Sequence, residues 1–214
     1  MSQGPAWRRP VRYRFYSATV ILIAINVGIF LLIMVAPRIF GYVALTPILV
    51  VQANAWWQVV TYMFVHDPTW IWHLLFNMLA LYVFGLPLER KLGSGEFLSL
   101  YFVTGIGAGL ATLAVNWYSG MGNIPVVGAS GAIFGVMLAF ATYFPDVRIL
   151  LFGIFPIRAP LLVLGYAAFE LFSLLGRRNL GVAHLTHLSG LLIGYLYLLV
   201  RLRVNPLRVF FHRR

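Results

Sequence analysis

Gly128-Ala129-Ser130-Gly131 places one serine among small residues at the head of an apolar run. Near the heads of two other apolar runs stand His73 with Asn77, and His187 with Gly190 and Gly194. A hydroxyl acts as a nucleophile when a positioned base takes its proton, and the tetrahedral adduct then needs donors aimed at its oxyanion. These residue types supply all three parts. Ser130, following Gly128 at a helix start, has unpaired backbone N–H groups and the positive end of the helix dipole at hand. His73 and Asn77, at i and i+4, share a helix face and can point donors at one spot. Gly131 with Gly135, and Gly190 with Gly194, form small-residue stripes on two helices. Such stripes let helix axes approach closely, as a serine–imidazole hydrogen bond of ~2.6–3.2 Å requires.

The elements that must position these groups are membrane helices. Of 214 residues, 61% are apolar and 10% charged, with mean hydropathy +0.88, whereas about a quarter of a soluble domain is charged. The chain reads as an all-α, polytopic membrane protein. It has no cysteine, so disulfide and thiolate chemistry are excluded. The net charge of +11 does not indicate nucleic acid, because the Lys and Arg residues flank apolar runs as topology signals do.

Six spans are expected, at about 17–36, 70–88, 97–117, 126–144, 160–175 and 181–200. The first exceeds a signal-peptide core in length and reads as a retained helix. A basic tail (1–15) precedes a six-helix membrane domain (16–203), and a second basic tail (204–214) follows. The loop 37–69 is broken by prolines yet rich in aromatics, so it should lie in the membrane interface or pack on the helices. Glu89-Arg90-Lys91 reads as a short charged turn, and 145–159 as an irregular segment. With six spans both termini share a side, and most Lys and Arg residues fall there. Arg38, Arg177 and Arg178 fall opposite. The positive-inside rule therefore places both termini in the cytoplasm. The short loops and the lack of a targeting presequence suit a bacterial inner membrane.

In this topology spans two, four and six all begin on the outer side. His73, Asn77, Ser130 and His187 then lie within roughly 10 Å of that end, at ~1.5 Å per residue. His184, one turn before His187, is a competing base, but it projects away from the Gly190 stripe; His187 is preferred. No Asp or Glu lies at matching depth in spans two, four or six, so a Ser–His dyad is expected rather than a triad. Glu170 in span five is an intramembrane ionisable group, read here as reaching the surface or Arg177 and Arg178. Each feature also has a packing reading: small residues at helix contacts, Asn77 as an interhelical hydrogen-bonding group, His73 as an interfacial histidine. Their joint placement at one depth favours chemistry. A zinc site built from His66, His73, His184 and His187 is a weaker alternative, since HExxH is absent; no metal and no cofactor is expected.

Taken in order, His73-xxx-Asn77, Gly128-Ala129-Ser130-Gly131 and His187-xx-Gly190-xxx-Gly194 resemble the rhomboid intramembrane serine proteases. Trp56-Trp57 in the loop and Glu89-Arg90-Lys91-Leu92-Gly93 after span two extend the resemblance to about residues 55–200. It implies a Ser130 nucleophile, a His187 general base, and an oxyanion site from His73, Asn77 and the backbone at Ser130. Gly128, Gly131, Phe134, Gly190 and Gly194 would support them. The implied activity is cleavage of transmembrane, typically single-span, protein substrates near the outer face of the lipid bilayer. Two positions depart from the common pattern. Phe134 stands where many members carry a tyrosine stacked on the histidine. Trp57-Gln58 stands where many carry Trp-Arg, which puts the anchoring of the loop in question. The family also includes non-catalytic members that bind membrane clients. These usually lack the serine or the histidine, and this chain has both.

Overall fold

The computed structural model describes residues 17–151, 153–176 and 182–211. Among them, four helices are long and apolar enough to cross a membrane: Ala18–Val35, Ile71–Leu92, Ser94–Tyr118 and Ala183–Val200. Two shorter apolar helices, Ser130–Tyr143 and Ala159–Leu175, pack with them. In chain order the helices are α1 (Ala18–Val35), α2 (Ile39–Val43), α3 (Pro47–Gln52), α4 (Gln58–Thr61), α5 (Ile71–Ala80), α6 (Leu86–Leu92), α7 (Ser94–Tyr118), α8 (Ser130–Tyr143), α9 (Ala159–Leu175), α10 (Val182–Val200) and α11 (Pro206–Phe211). The N-terminal basic tail and the last three residues of the C-terminal one fall outside the described residues, as do Arg177 and Arg178.

The core is built around α8. Every residue from Gly131 to Thr142 is buried, as expected of a helix that is apolar on all sides and enclosed by others. α7, α9 and α10 surround it. Span four is shorter than its apolar run, because residues 126–129 approach the helix in non-helical conformation and Ser130 is the first helical residue.

The expected charged turn at Glu89 is corrected. α5 continues through a π-helical turn (Leu81–Gly85) into α6, so the helix runs to Leu92 and stops at Gly93, where φ is +85°. The π turn absorbs Pro87, which has no N–H to give the preceding turn. Glu89 is buried, and it receives the start of α1. Its carboxylate accepts from Ala18 N (2.8 Å), Thr19 N (2.9 Å), Ser17 Oγ (2.6 Å) and Thr19 Oγ1 (2.7 Å), and from Ser94 Oγ (2.6 Å). A carboxylate at a helix N-terminus meets both its unpaired donors and its dipole.

The irregular segment 145–159 contains a hairpin. Arg148–Leu151 pairs antiparallel with Phe155–Arg158, and Arg148 stands opposite Arg158.

The first loop packs on the bundle as expected. Tyr62 and Met63 are fully buried, and the Tyr62 hydroxyl donates to Gly105 O at 2.6 Å. Gln58, which stands where many family members carry an arginine, anchors the loop. Its Nε2 donates to Gly41 O (3.0 Å) and Tyr42 O (3.2 Å), while its Oε1 accepts from Thr46 N (3.0 Å). Trp57 Nε1 adds a bond to Tyr42 O at 2.8 Å.

Candidate active site

The loop also frames the segment that leads into α8. Leu45 and Val126 exchange backbone hydrogen bonds (3.0 and 2.8 Å), and Gly128 N donates to Tyr62 O at 3.0 Å. Gly128 has φ +119°, and a β-carbon there would stand 2.9 Å from His73 Nε2. Glycine is required on both counts. The turn delivers Ser130 to the first position of α8, where the helix's leading N–H groups lack intrahelical partners.

Across from it, α10 lies against α8 backbone to backbone. A β-carbon on Gly190 would overlap the Gly131 carbonyl, and one on Gly194 would stand 2.8 Å from Gly135 Cα. The two small-residue stripes therefore face each other. Three residues before Gly190, His187 Nε2 meets Ser130 Oγ at 2.8 Å. The Phe134 ring covers the imidazole face, with centroids 4.5 Å apart and planes 10° apart. Tyr166 meets Phe134 edge-on.

The serine and both imidazoles, His73 and His187, line a cavity of about 460 Å³ with Asn77, Trp70 and Thr186. His73 Nδ1 accepts from Asp67 N (3.4 Å). That bond assigns the proton of neutral His73 to Nε2, the nitrogen beside Gly128. Asn77 reaches the same cavity, although one of its amide N–H groups is given to His73 O at 2.7 Å. The two residues thus share a face, and both line the cavity beside the serine.

The expectation that no carboxylate joins the pair is corrected. Glu170 Oε1 lies 2.9 Å from His187 Nδ1. Its Oε2 lies 2.5 Å from His184 Nδ1. Its side chain is 7% exposed, so it does not reach the surface as the sequence reading had it. Depth along spans two, four and six does not reveal it, because all three are expected to start on the same side. α9 runs the other way, and Glu170 near its end comes to the same level as His187 near the start of α10. Both are roughly 8 Å from their helix ends at ~1.5 Å per residue. An intramembrane carboxylate counted from the far end of its helix was the signal available.

His184 is turned toward Glu170 and away from the serine. His66 faces His73, with ring centroids 5.0 Å apart. Among the described residues, no three His, Cys, Asp or Glu side chains converge as metal ligands would.

A rhomboid domain is matched over residues 53–204, most of the chain and all of the cavity. The chain is 32% identical over 172 residues to rhomboid protease AarA of Providencia stuartii, covering 71% of this chain and 60% of that protein. It is 44% identical over 90 residues to mitochondrial rhomboid protein 1 of Saccharomyces cerevisiae, covering 40% and 25%. Against rhomboid protease GluP of Bacillus subtilis it is 39% identical over 87 residues, covering 41% and 16%. The chain spans less than two thirds of the length of each of these relatives. The domain match takes in the facing glycine stripes, the serine at the head of a buried helix and the membrane-length helices around it, and the chain belongs to the rhomboid family of multi-pass membrane proteins.

Proposed function

We propose that this chain is an intramembrane serine endopeptidase that cuts transmembrane protein substrates near the outer face of the bilayer. The observation that carries the reading is the 2.8 Å approach of Ser130 Oγ to His187 Nε2 at a cavity wall. Two of the relatives reported above are named as proteases, which supports it.

In this reading Ser130 Oγ attacks the scissile carbonyl carbon as its proton passes to His187 Nε2. The carbonyl electron pair moves onto oxygen. Backbone N–H groups at the start of α8 and His73 Nε2–H receive that oxyanion, with Asn77 contributing from the same helix face. Collapse breaks the C–N bond, and His187 gives its proton to the departing amine. Water then attacks the acyl-enzyme with His187 again as base, releasing the acid and the serine. Phe134 holds the imidazole plane throughout. The helices α1, α5–α6, α7, α8, α9 and α10 serve as six spans with both termini cytoplasmic, and single-span helices are the substrates.

The test is labelling of detergent-purified protein with a fluorescent fluorophosphonate, beside cleavage of a reporter transmembrane substrate. Wild type is expected to label and cleave, and Ser130→Ala and His187→Ala to do neither. Cleavage that survives Ser130→Ala would end the reading. Absence of both label and cleavage in wild type would favour a client-binding role without chemistry.

A further inference from the structure

Glu170 lies behind His187, on the side away from the cavity, and both of its oxygens are engaged by imidazoles of α10. Resting on the Ser130–His187 reading above, we propose that Glu170 is a positioning residue that sets the tautomer of His187, and that His184 competes for the same carboxylate. An ionised carboxylate only accepts hydrogen bonds. Each imidazole must therefore donate from Nδ1. For neutral His187 this puts the lone pair on Nε2, the atom that faces Ser130 Oγ at 2.8 Å. The carboxylate also lies where it can stabilise the imidazolium formed once the serine proton has moved. A tie between α9 and α10 would need only one of the two imidazoles. The second, on His184, is the shorter contact at 2.5 Å against 2.9 Å.

The competition has a consequence that packing alone does not share. A glutamine at 170 offers one acceptor and one donor group instead of two acceptors. His184, the closer claimant, takes the carbonyl oxygen. The amide then donates to His187 Nδ1 and drives its proton to Nε2, which leaves Ser130 without a base. Removing His184 as well returns the carbonyl oxygen to His187.

The experiment uses the full chain in detergent or proteoliposomes, with kcat and KM on a reporter transmembrane substrate and the fluorophosphonate labelling rate. Glu170→Gln is expected to lower kcat by up to about 10⁴-fold, the loss a wrong tautomer causes in a serine-protease triad, with KM nearly unchanged. The double variant Glu170→Gln/His184→Leu is expected to recover about tenfold or more over Glu170→Gln. A kcat for Glu170→Gln equal to wild type, or a double variant no faster than the single one, would overturn the proposal. Circular dichroism and gel filtration establish that the variants are folded.

Should Glu170→Gln not fold, His184→Leu decides alone. The titratable groups facing His187 are Glu170 on α9, His184 on its own helix and His73 across the cavity. With His184 gone, the carboxylate serves His187 undivided, so kcat is expected to match or exceed wild type with KM nearly unchanged. A kcat for His184→Leu well below wild type would overturn the proposal. Cleavage by Ser130→Ala would instead defeat the serine reading itself, which a wild-type rate for Glu170→Gln would leave standing.

Discussion

Gly190 of α10 rests directly on the Gly131 carbonyl of α8, leaving no room for a β-carbon between them. The neighbour is backbone, not a flexible side chain, so the helices themselves must separate if a side chain is added. Overpacking of this kind costs ~1–3 kcal/mol in well-packed cores. Gly190→Ala is expected to lower the thermal midpoint and to reduce fluorophosphonate labelling by more than tenfold, because His187 lies one turn away. Gly194→Ala, two turns from the imidazole, should cost stability with a smaller loss of labelling. Equal labelling by Gly190→Ala and wild type would show that the seam does not set the serine–imidazole distance.

The Phe134 ring keeps the His187 imidazole in one plane without a hydroxyl of its own. Aromatic pairs of this geometry contribute about 0.5–1.5 kcal/mol. Phe134→Leu is therefore expected to lower kcat by about tenfold or less, and Phe134→Tyr to stay near wild type. A Phe134→Tyr variant well below wild type would mean that the surrounding apolar wall rejects the added hydroxyl.

His66 lies in the first loop, fully buried. Burial, and to a lesser degree the neighbouring His73, push its pKa down from 6.5 to about 3. The unfolded chain therefore binds more protons at this residue between those values. Stability from neutral His66 is complete above the ordinary histidine value and is lost progressively as the pH falls toward about 3. His66→Phe should flatten the decline of the thermal midpoint between about pH 7 and pH 4.5. An equally steep decline in that variant would assign the acid sensitivity elsewhere.

Much of this architecture was legible in the residues. Counting at helical rise from span ends places His73, Asn77, Ser130 and His187 at one depth, and glycine spacing identifies which faces of α8 and α10 can meet. Glu170 was missed because its helix runs the other way, so its position has to be counted from the opposite end. Glu89 was misread because charges next to an apolar run usually mark solvent. Here the carboxylate turns inward to the donors at the start of α1, a partner seventy residues away that no local pattern announces. The hairpin at 148–158 was hidden by Pro156, which is tolerated because Arg148–Leu151 and Phe155–Arg158 form only a two-stranded ribbon.

The paired hydrogen bonds between Leu45 and Val126, with Gly128 N on Tyr62 O, have a mechanical consequence. These bonds tie the first loop to the segment that leads into Ser130, so swinging the loop aside as a door would break them or drag the nucleophile with it. In the proteolytic reading, a substrate is then expected to enter where the cavity wall is made by other elements. The chain has no cysteine, so a Leu45→Cys/Val126→Cys pair would hold its only thiols. A hydrogen-bonded antiparallel pair has Cα atoms about 5.5 Å apart, within disulfide range. The oxidised variant is expected to cleave its substrate at close to the reduced rate. Inactivity that reversed on reduction would mean the seam must part during turnover. If the bridged enzyme works, the loop is the fixed jamb against which the rest of the entrance opens.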